Sequence, residues 1–328
     1  MLKRSGAAGR YAIAGLMLLT AGGVAAQQDY PAKPIRMIVP YAPGGATTIV
    51  ARLVGDKLNE AWGQPVIVDN RPGGNAIIGS EAMVRSAPDG YTVLLMTSAH
   101  IIRPLLTPNL PFDTIKDFAP VATLASSELI FAVHPSLPVA NLQEFIKLAR
   151  SRPGQLNYAT VGSGGSTHLA SEYLNILAGV KTQSIPYKGT APALTDLIGG
   201  QVHFFLSPPT DSLVPFIKAG KLRALVVGGA NRKASLPQVP TFAEAGLPEY
   251  QMSLWYAIQA PAATPRRIID RLSAEFGRIM GTAEIRDRLQ VAELEPMINN
   301  AEQFAAMIKV ETEKYTRIIR TANIKLDN

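Results

Sequence analysis

The sequence predicts an α/β fold in two lobes with a ligand cleft between them. Three observations carry that reading. Short apolar runs alternate with segments whose apolar residues recur at helical spacing, which argues for sheets flanked by helices. Several of those runs end in glycine-rich polar loops, the place where α/β sheets bind ligands. The chain has 328 residues and no cysteine, so disulfides are excluded and two domains of ordinary size must rest on apolar cores.

Residues 1–26 read as a secretory signal. Lys3, Arg4 and Arg10 form a basic start, residues 11–20 an apolar core, and Val24-Ala25-Ala26 a small-residue cleavage site. The apolar run is broken by Gly15 and Gly22-Gly23 and falls short of the ~20 residues a membrane span needs. The expected fate is therefore export, with cleavage near Ala26. The net charge is +7, and three of those charges lie in the leader, leaving about +4. The remaining basic residues are dispersed, which argues against nucleic acid, because phosphate binding needs clustered charge.

The first strand is expected at residues 35–39, and it runs into Val39-Pro40-Tyr41-Ala42-Pro43-Gly44-Gly45-Ala46-Thr47-Thr48. Val50, Leu53, Val54 and Leu58 then follow at helical spacing. This is strand, glycine turn, helix start, with Thr47 or Thr48 as the expected N-cap. Gly44 and Gly45 let a ligand approach the backbone. The first amides of the helix lack intrahelical partners, and a carboxylate fits them without Lys or Arg.

The pattern then repeats. A strand at 66–68 leads into the loop Asn70-Arg71-Pro72-Gly73-Gly74-Asn75 and a helix at 77–85. A strand at 92–96 ends in Thr97-Ser98-Ala99-His100. Residues 105–120 are proline-rich and read as irregular. Strands follow at 121–124 and 129–133, then a helix at 142–150 capped by Asn141. A strand at 156–160 runs into Val161-Gly162-Ser163-Gly164-Gly165-Ser166-Thr167-His168 and a helix carrying Leu169, Leu174 and Leu177. A strand at 184–187 closes on Lys188-Gly189. A helix at 191–198, a strand at 202–206, and a helix at 212–218 complete the series. The strand at 222–227 crosses back. A strand at 254–258 and helices at 265–281 and 283–291 follow. The last helix sets Phe304, Ile308, Tyr315 and Ile319 on one side, facing the first lobe. The expected division is 27–124 plus 227–328 for lobe one and 125–226 for lobe two. Glycine loops from both lobes face the cleft, the geometry of a hinged binding protein that closes on its ligand.

The resemblance that these loops carry is specific in its order. Besides the leading loop, it rests on Asp69-Asn70-Arg71-Pro72-Gly73, Ala87-Pro88-Asp89-Gly90-Tyr91, Lys116-Asp117-Phe118-Ala119-Pro120-Val121, Pro186-Tyr187-Lys188-Gly189 and Ala219-Gly220-Lys221-Leu222-Arg223. The chain resembles the Bug proteins, the periplasmic solute receptors of tripartite tricarboxylate transporters. The resemblance implies the two-lobed type II periplasmic-binding-protein fold. It implies capture of a small organic anion, usually a carboxylate, for integral membrane permease subunits, by a monomer without cofactor or metal. By resemblance, the ligand contacts fall on Ala42, Gly44, Gly45, Ala46 and Thr47 in the leading loop, on Ser98, on Gly162, Ser163, Ser166 and Thr167, and on Tyr187, Lys188 and Gly189. From their place on or beside the same loops, Tyr41, Thr48, His100, His168 and Ser207 are further candidates. The family usually has Asp where this chain has Thr48, which leaves a more positive helix start. Leu206 is a second candidate departure.

Two other functions compete with this one. A serine hydrolase would use Ser163 or Ser166 with His168, but Val161 breaks the Gly-x-Ser-x-Gly pattern around Ser163, and no nearby acid offers itself as third member. A sensory receptor would bind the same ligand and pass it to a signalling partner. His134 and His203 read as a turn residue and a core or edge residue, and Arg71 as either a ligand cation or one arm of a surface ion pair.

Overall fold

The computed structural model describes residues 30–209 and 213–325. The leader read at 1–26 lies outside the described residues, as does Ser212. In chain order the first half runs β1 (Ile35–Val39), α1 (Ala46–Trp62), β2 (Val66–Asn70), α2 (Ile77–Val84), β3 (Thr92–Thr97), α3 (Ala99–Leu106), β4 (Phe118–Glu128), β5 (Ile130–Val133), α4 (Leu142–Ser151), β6 (Asn157–Val161) and α5 (Ser166–Ala178). The second half runs β7 (Gln183–Tyr187), α6 (Thr190–Ile198), β8 (Phe204–Ser207), α7 (Leu213–Lys218), β9 (Arg223–Val227), β10 (Ser253–Pro261), α8 (Arg266–Met280), α9 (Ala283–Val291), β11 (Glu295–Pro296) and α10 (Ala301–Ala322).

These strands form two sheets, in the orders β11-β4-β10-β3-β1-β2 and β7-β6-β8-β5-β9. The alternation of strand and helix predicts parallel pairing, and β1 does pair parallel with β2 and β3, as β6 does with β7 and β8. The sheets are nevertheless mixed. β10 runs antiparallel to β3 and β4, and β5 antiparallel to β8 and β9. The reason is topological: β4, β5, β9 and β10 carry the chain between the sheets, and each return reverses direction. The first change of sheet occurs between Glu128 and Ile130, the second between Val227 and Ser253.

Each sheet buries apolar side chains at alternating or continuous positions. β1 and β3 are almost wholly buried, as strands covered on both faces must be. In the second sheet Phe131, Phe145 and Phe204 meet edge to face at 4.8–5.1 Å, the arrangement favoured by the ring quadrupole. One buried apolar cluster runs through both lobes, and a smaller one lines the other face of the second sheet.

Three expectations need correction. Residues 105–120 are not wholly irregular, because α3 extends to Leu106 with Pro104 inside it. A proline in the last turn removes only one ladder donor, and that loss is tolerated near a helix end. The strand expected at 121–124 extends from Phe118 to Glu128, through the polar Ser126-Ser127-Glu128, which are buried against β10 and β11. Finally, α10 packs on β4 and α3 as expected, but also on α5 of the second lobe, so it spans the two. Tyr250 Oη, in the return segment, donates to the Ala170 carbonyl of α5 at 3.1 Å and ties that segment to the second lobe.

Candidate functional site

The loops after β1, β3 and β6 meet across the gap between the sheets and enclose a cavity of about 780 Å³, within the roughly 300–1,000 Å³ of small-molecule sites. Its floor on one side is the turn from β6 into α5. Gly162 at φ +73° and Gly164 at φ +71° take the left-handed region that a side chain would resist. They fold the backbone so that residues 161–167 all face the cavity. Thr167 fixes this turn from beneath. Its Oγ1 accepts from the Val161 amide at 2.9 Å and shares a hydrogen with Thr160 Oγ1 at 3.0 Å. His168 braces it from the side, where Nδ1 accepts from the Gly164 amide at 2.9 Å.

Helix α5 therefore opens into the cavity after Gly165, with no side-chain cap and no acid in its first turn. Helices α1 and α6 begin in the same manner after Gly45 and Gly189. Helices α4, α9 and α10 differ: Asn141, Thr282 and Asn300 cap them through side chains, and each has a glutamate in its first turn. The cleft-facing start of α5 thus keeps its positive end and amide donors for another acceptor.

The expected site residues separate into two groups. Tyr41, Ala42, His100, Gly162, Ser163, Ser166, Thr167 and Lys188 line the cavity. Gly44, Gly45, Ala46, Thr47, Thr48, Ser98, His168, Tyr187, Gly189 and Ser207 do not. Gly44 and Gly45 are exposed and form no part of the cavity wall. Neither Thr47 nor Thr48 caps α1, whose N-cap is Gly45. Thr48 turns inward, 3% exposed, and its Oγ1 accepts from Asn70 Nδ2 at 3.1 Å. The same amide group donates to the Tyr41 carbonyl at 2.9 Å, so Thr48 holds the cavity-lining Tyr41 indirectly. Tyr41 Oη also meets Thr97 Oγ1 at 2.7 Å. Ser98 is buried behind the wall, with its Oγ 3.4 Å from Ser166 Oγ, and so joins the two lobes. Tyr187 donates to Asp196 Oδ2 at 2.8 Å, and Ser207 to the Pro208 carbonyl at 2.9 Å. Gly189 serves as the N-cap of α6.

His100 lines the cavity while only 5% exposed. Burial pushes its imidazole down to about 4, so the ring is neutral at pH 7. Nδ1 lies 3.4 Å from Ser80 Oγ, and the ring stacks on Phe112 with a centroid separation of 6.0 Å. Arg71 resolves to a surface pair, with Nε donating to Asp69 at 2.8 Å. His134 bonds within its turn to Ser136, and His203 accepts from the Asn157 amide at 2.9 Å.

Sequence reasoning missed Arg103, Ile77 and Phe112, which also line the cavity. The signal for Arg103 was available: once α3 is a helix, His100 and Arg103 share a face at i, i+3.

Comparison with known proteins decides the family. The profile of the "Tripartite tricarboxylate transporter family receptor" matches residues 50–324. The chain belongs to this receptor family. It is 34% identical to Protein BugT of Bordetella pertussis over 322 residues, covering 96% of this chain and 98% of BugT. Among solved structures of the family's fold, Rpa4515 of R. palustris with adipate superposes with a TM-score of 0.78 at 32% identity, over 91% of this chain and all of the other. MatC of Rhodopseudomonas palustris with bound malate gives 0.72 at 30% identity, over 88% of this chain and all of the other. The two-sheet architecture is thus that of a two-lobed periplasmic binding protein. Among the described residues no helix is long and apolar enough to cross a membrane.

Proposed function

We propose that this receptor captures a small organic acid in the periplasm and delivers it to the permease subunits of a tripartite tricarboxylate transporter. The observation that carries the reading is the uncapped start of α5, opening into the cavity with Ser163, Ser166 and Thr167 around it. Converging neutral donors hold a buried carboxylate through charge-assisted hydrogen bonds. Rpa4515 and MatC, of the same fold and similar length, hold adipate and malate, which supports an acid here.

The moving units in this reading are the two sheet-centred lobes, hinged at Leu129 and at the Gly228-Gly229 return. The Gly228 amide donates to the Leu129 carbonyl at 2.7 Å, so the two crossings are clasped side by side. Closure around the ligand excludes water and strengthens each donor's contribution.

The arrangement around His168 does not favour a hydrolase. Its Nδ1 lone pair is directed at the Gly164 amide, so the neutral ring carries its proton on Nε2 and has no lone pair there to deprotonate a serine. Calorimetric titration against di- and tricarboxylates, aromatic acids, amino acids and neutral sugars tests the proposal. It predicts micromolar or tighter binding of at least one acid, with a negative heat-capacity change on closure. Binding of a sugar with no response to any acid contradicts it.

A further inference from the structure

We propose that Glu128 couples the interlobe hinge to pH: the lobes close with its carboxyl protonated, and loss of that proton opens them. The inference rests on the hinge at Leu129 and Gly228-Gly229 described above, and it holds whatever the ligand is.

Glu128 ends β4 at the first crossing and is buried. The return crossing lies against it. A Cβ on Gly229 would sit 3.0 Å from Glu128 Cγ, and one on Gly228 3.1 Å from Oε2. The groups that act on the carboxyl come from four elements. Ser126 lies on β4 itself, Glu295 on β11, Lys233 and Tyr250 on the return segment, and Lys314 on α10. Among the described residues no cation forms an ion pair with Glu128. Lys233 Nζ turns instead to Glu293 and Glu295, at 3.7 and 4.0 Å, and Lys314 Nζ to Glu311 and the Gln251 carbonyl. The hinge thus sets the carboxyl groups of residues 128, 293 and 295 around the single buried ammonium of Lys233. A buried carboxylate without an ion partner is costly, and the group avoids that cost by keeping its proton.

Rotation at Leu129 and Gly228-Gly229 changes the backbone at the residues that cover the carboxyl, and so admits water to it. The protonated group suits the clasped arrangement, in which the Gly228 amide donates to the Leu129 carbonyl at 2.7 Å. The ionised group favours the rotated arrangement, where it is hydrated. Tyr250, which interacts with Glu128, reaches the second lobe through its hydroxyl on the Ala170 carbonyl of α5, the helix whose start lines the cavity. Burial pushes the Glu128 carboxyl up to about 7, so the two forms exchange near neutral pH. A ligand that binds the closed form then takes up a proton at Glu128.

The test reads lobe separation in the ligand-free protein. The chain has no cysteine, so Ile49→Cys on α1 and Thr195→Cys on α6, both exposed and one in each lobe, can carry a pair of pH-insensitive fluorophores for energy transfer. The separation should grow with pH along a one-proton curve centred at about 7. In Glu128→Gln it should stay at its low-pH value throughout. In Glu295→Gln, which removes a neighbouring negative charge, the curve should move to lower pH. A separation that ignores pH overturns the inference, as does a response that persists in Glu128→Gln or a curve that stays in place in Glu295→Gln. Calorimetry with adipate and malate gives a second reading: an acid that binds should lose about threefold or more in affinity between about pH 6.5 and 8.5, and the loss should vanish in Glu128→Gln. Affinity that is flat with pH in the wild type overturns the inference and leaves the receptor reading intact. If the separation follows pH as expected but no acid binds, the receptor reading falls and this inference stands.

Discussion

Glu128 should make the stability of this protein fall as pH rises through neutrality. It ends β4 at the first change of sheet and is 8% exposed. Burial pushes its carboxyl up from 4.5 to about 7. The Glu295 carboxylate adds to the rise, while a hydrogen bond with Ser126 and the charges of Lys233 and Lys314 oppose it. The return crossing closes over it: a Cβ on Gly229 would sit 3.0 Å from Glu128 Cγ, and one on Gly228 3.1 Å from Oε2. A folded value above the unfolded one means that the folded state holds the proton more tightly. The stabilisation is complete below about pH 4.5 and is lost as pH rises through about 7. A rise from 4.5 to about 7 corresponds to at most about 3 kcal/mol. Glu128→Gln keeps a neutral group of the same shape at every pH. Its stability relative to wild type should therefore increase by up to about 3 kcal/mol between pH 4.5 and pH 8, read by urea denaturation at several pH values. Parallel pH profiles for the two proteins would refute the reasoning, because they would mean that Glu128 ionises in the folded state as easily as in the unfolded one.

Other substitutions follow from the same geometry. Gly79→Ala would normally favour a helix by about 1 kcal/mol, but its Cβ would lie 2.6 Å from Pro40 Cβ and 2.9 Å from Pro40 Cα. It should instead destabilise by about 1–3 kcal/mol, seen as a lower midpoint in denaturant. Thr167→Val deletes the acceptor of the Val161 amide and should cost about 1–3 kcal/mol of stability, with weaker acid binding in the same preparation by calorimetry. Thr48→Asp places a negative charge in the first turn of α1. Because Thr48 lies off the cavity wall and holds Asn70, and a helix-terminus charge acts within its own first turn, acid affinity should change by less than about twofold in calorimetry, and a larger loss would place the bound acid at the start of α1 instead of α5.

Most of the fold was legible because the strongest signals are local. β1 was bounded correctly from its apolar run. Asn141 was identified as the cap of α4, and its side chain does accept from the Glu144 amide. What escaped were features set by tertiary context. Ser126, Ser127 and Glu128 carry no strand pattern, yet they pair with β10 because the sheet needs them there. Pro104 concealed α3, and with it the spacing that places Arg103 beside His100 on the cavity wall. The leading loop illustrates the limit at the site. Its glycines were legible as a turn before a helix, but whether such a turn faces a cavity depends on the other lobe. In this structure the start of α5, rather than Gly44 and Gly45, lies on the cavity wall. Thr48 could be read as an unusual residue, but its bond to Asn70 could not.

The central claim is that amides at a helix start in the interlobe cleft hold an acid. A crystal structure with the tightest-binding acid of the calorimetric panel tests it most directly. The account predicts a carboxylate within hydrogen-bonding distance of the Ser166 and Thr167 amides, the first of α5. Density for the acid outside the cavity, or inside it with those amides unengaged, would contradict it.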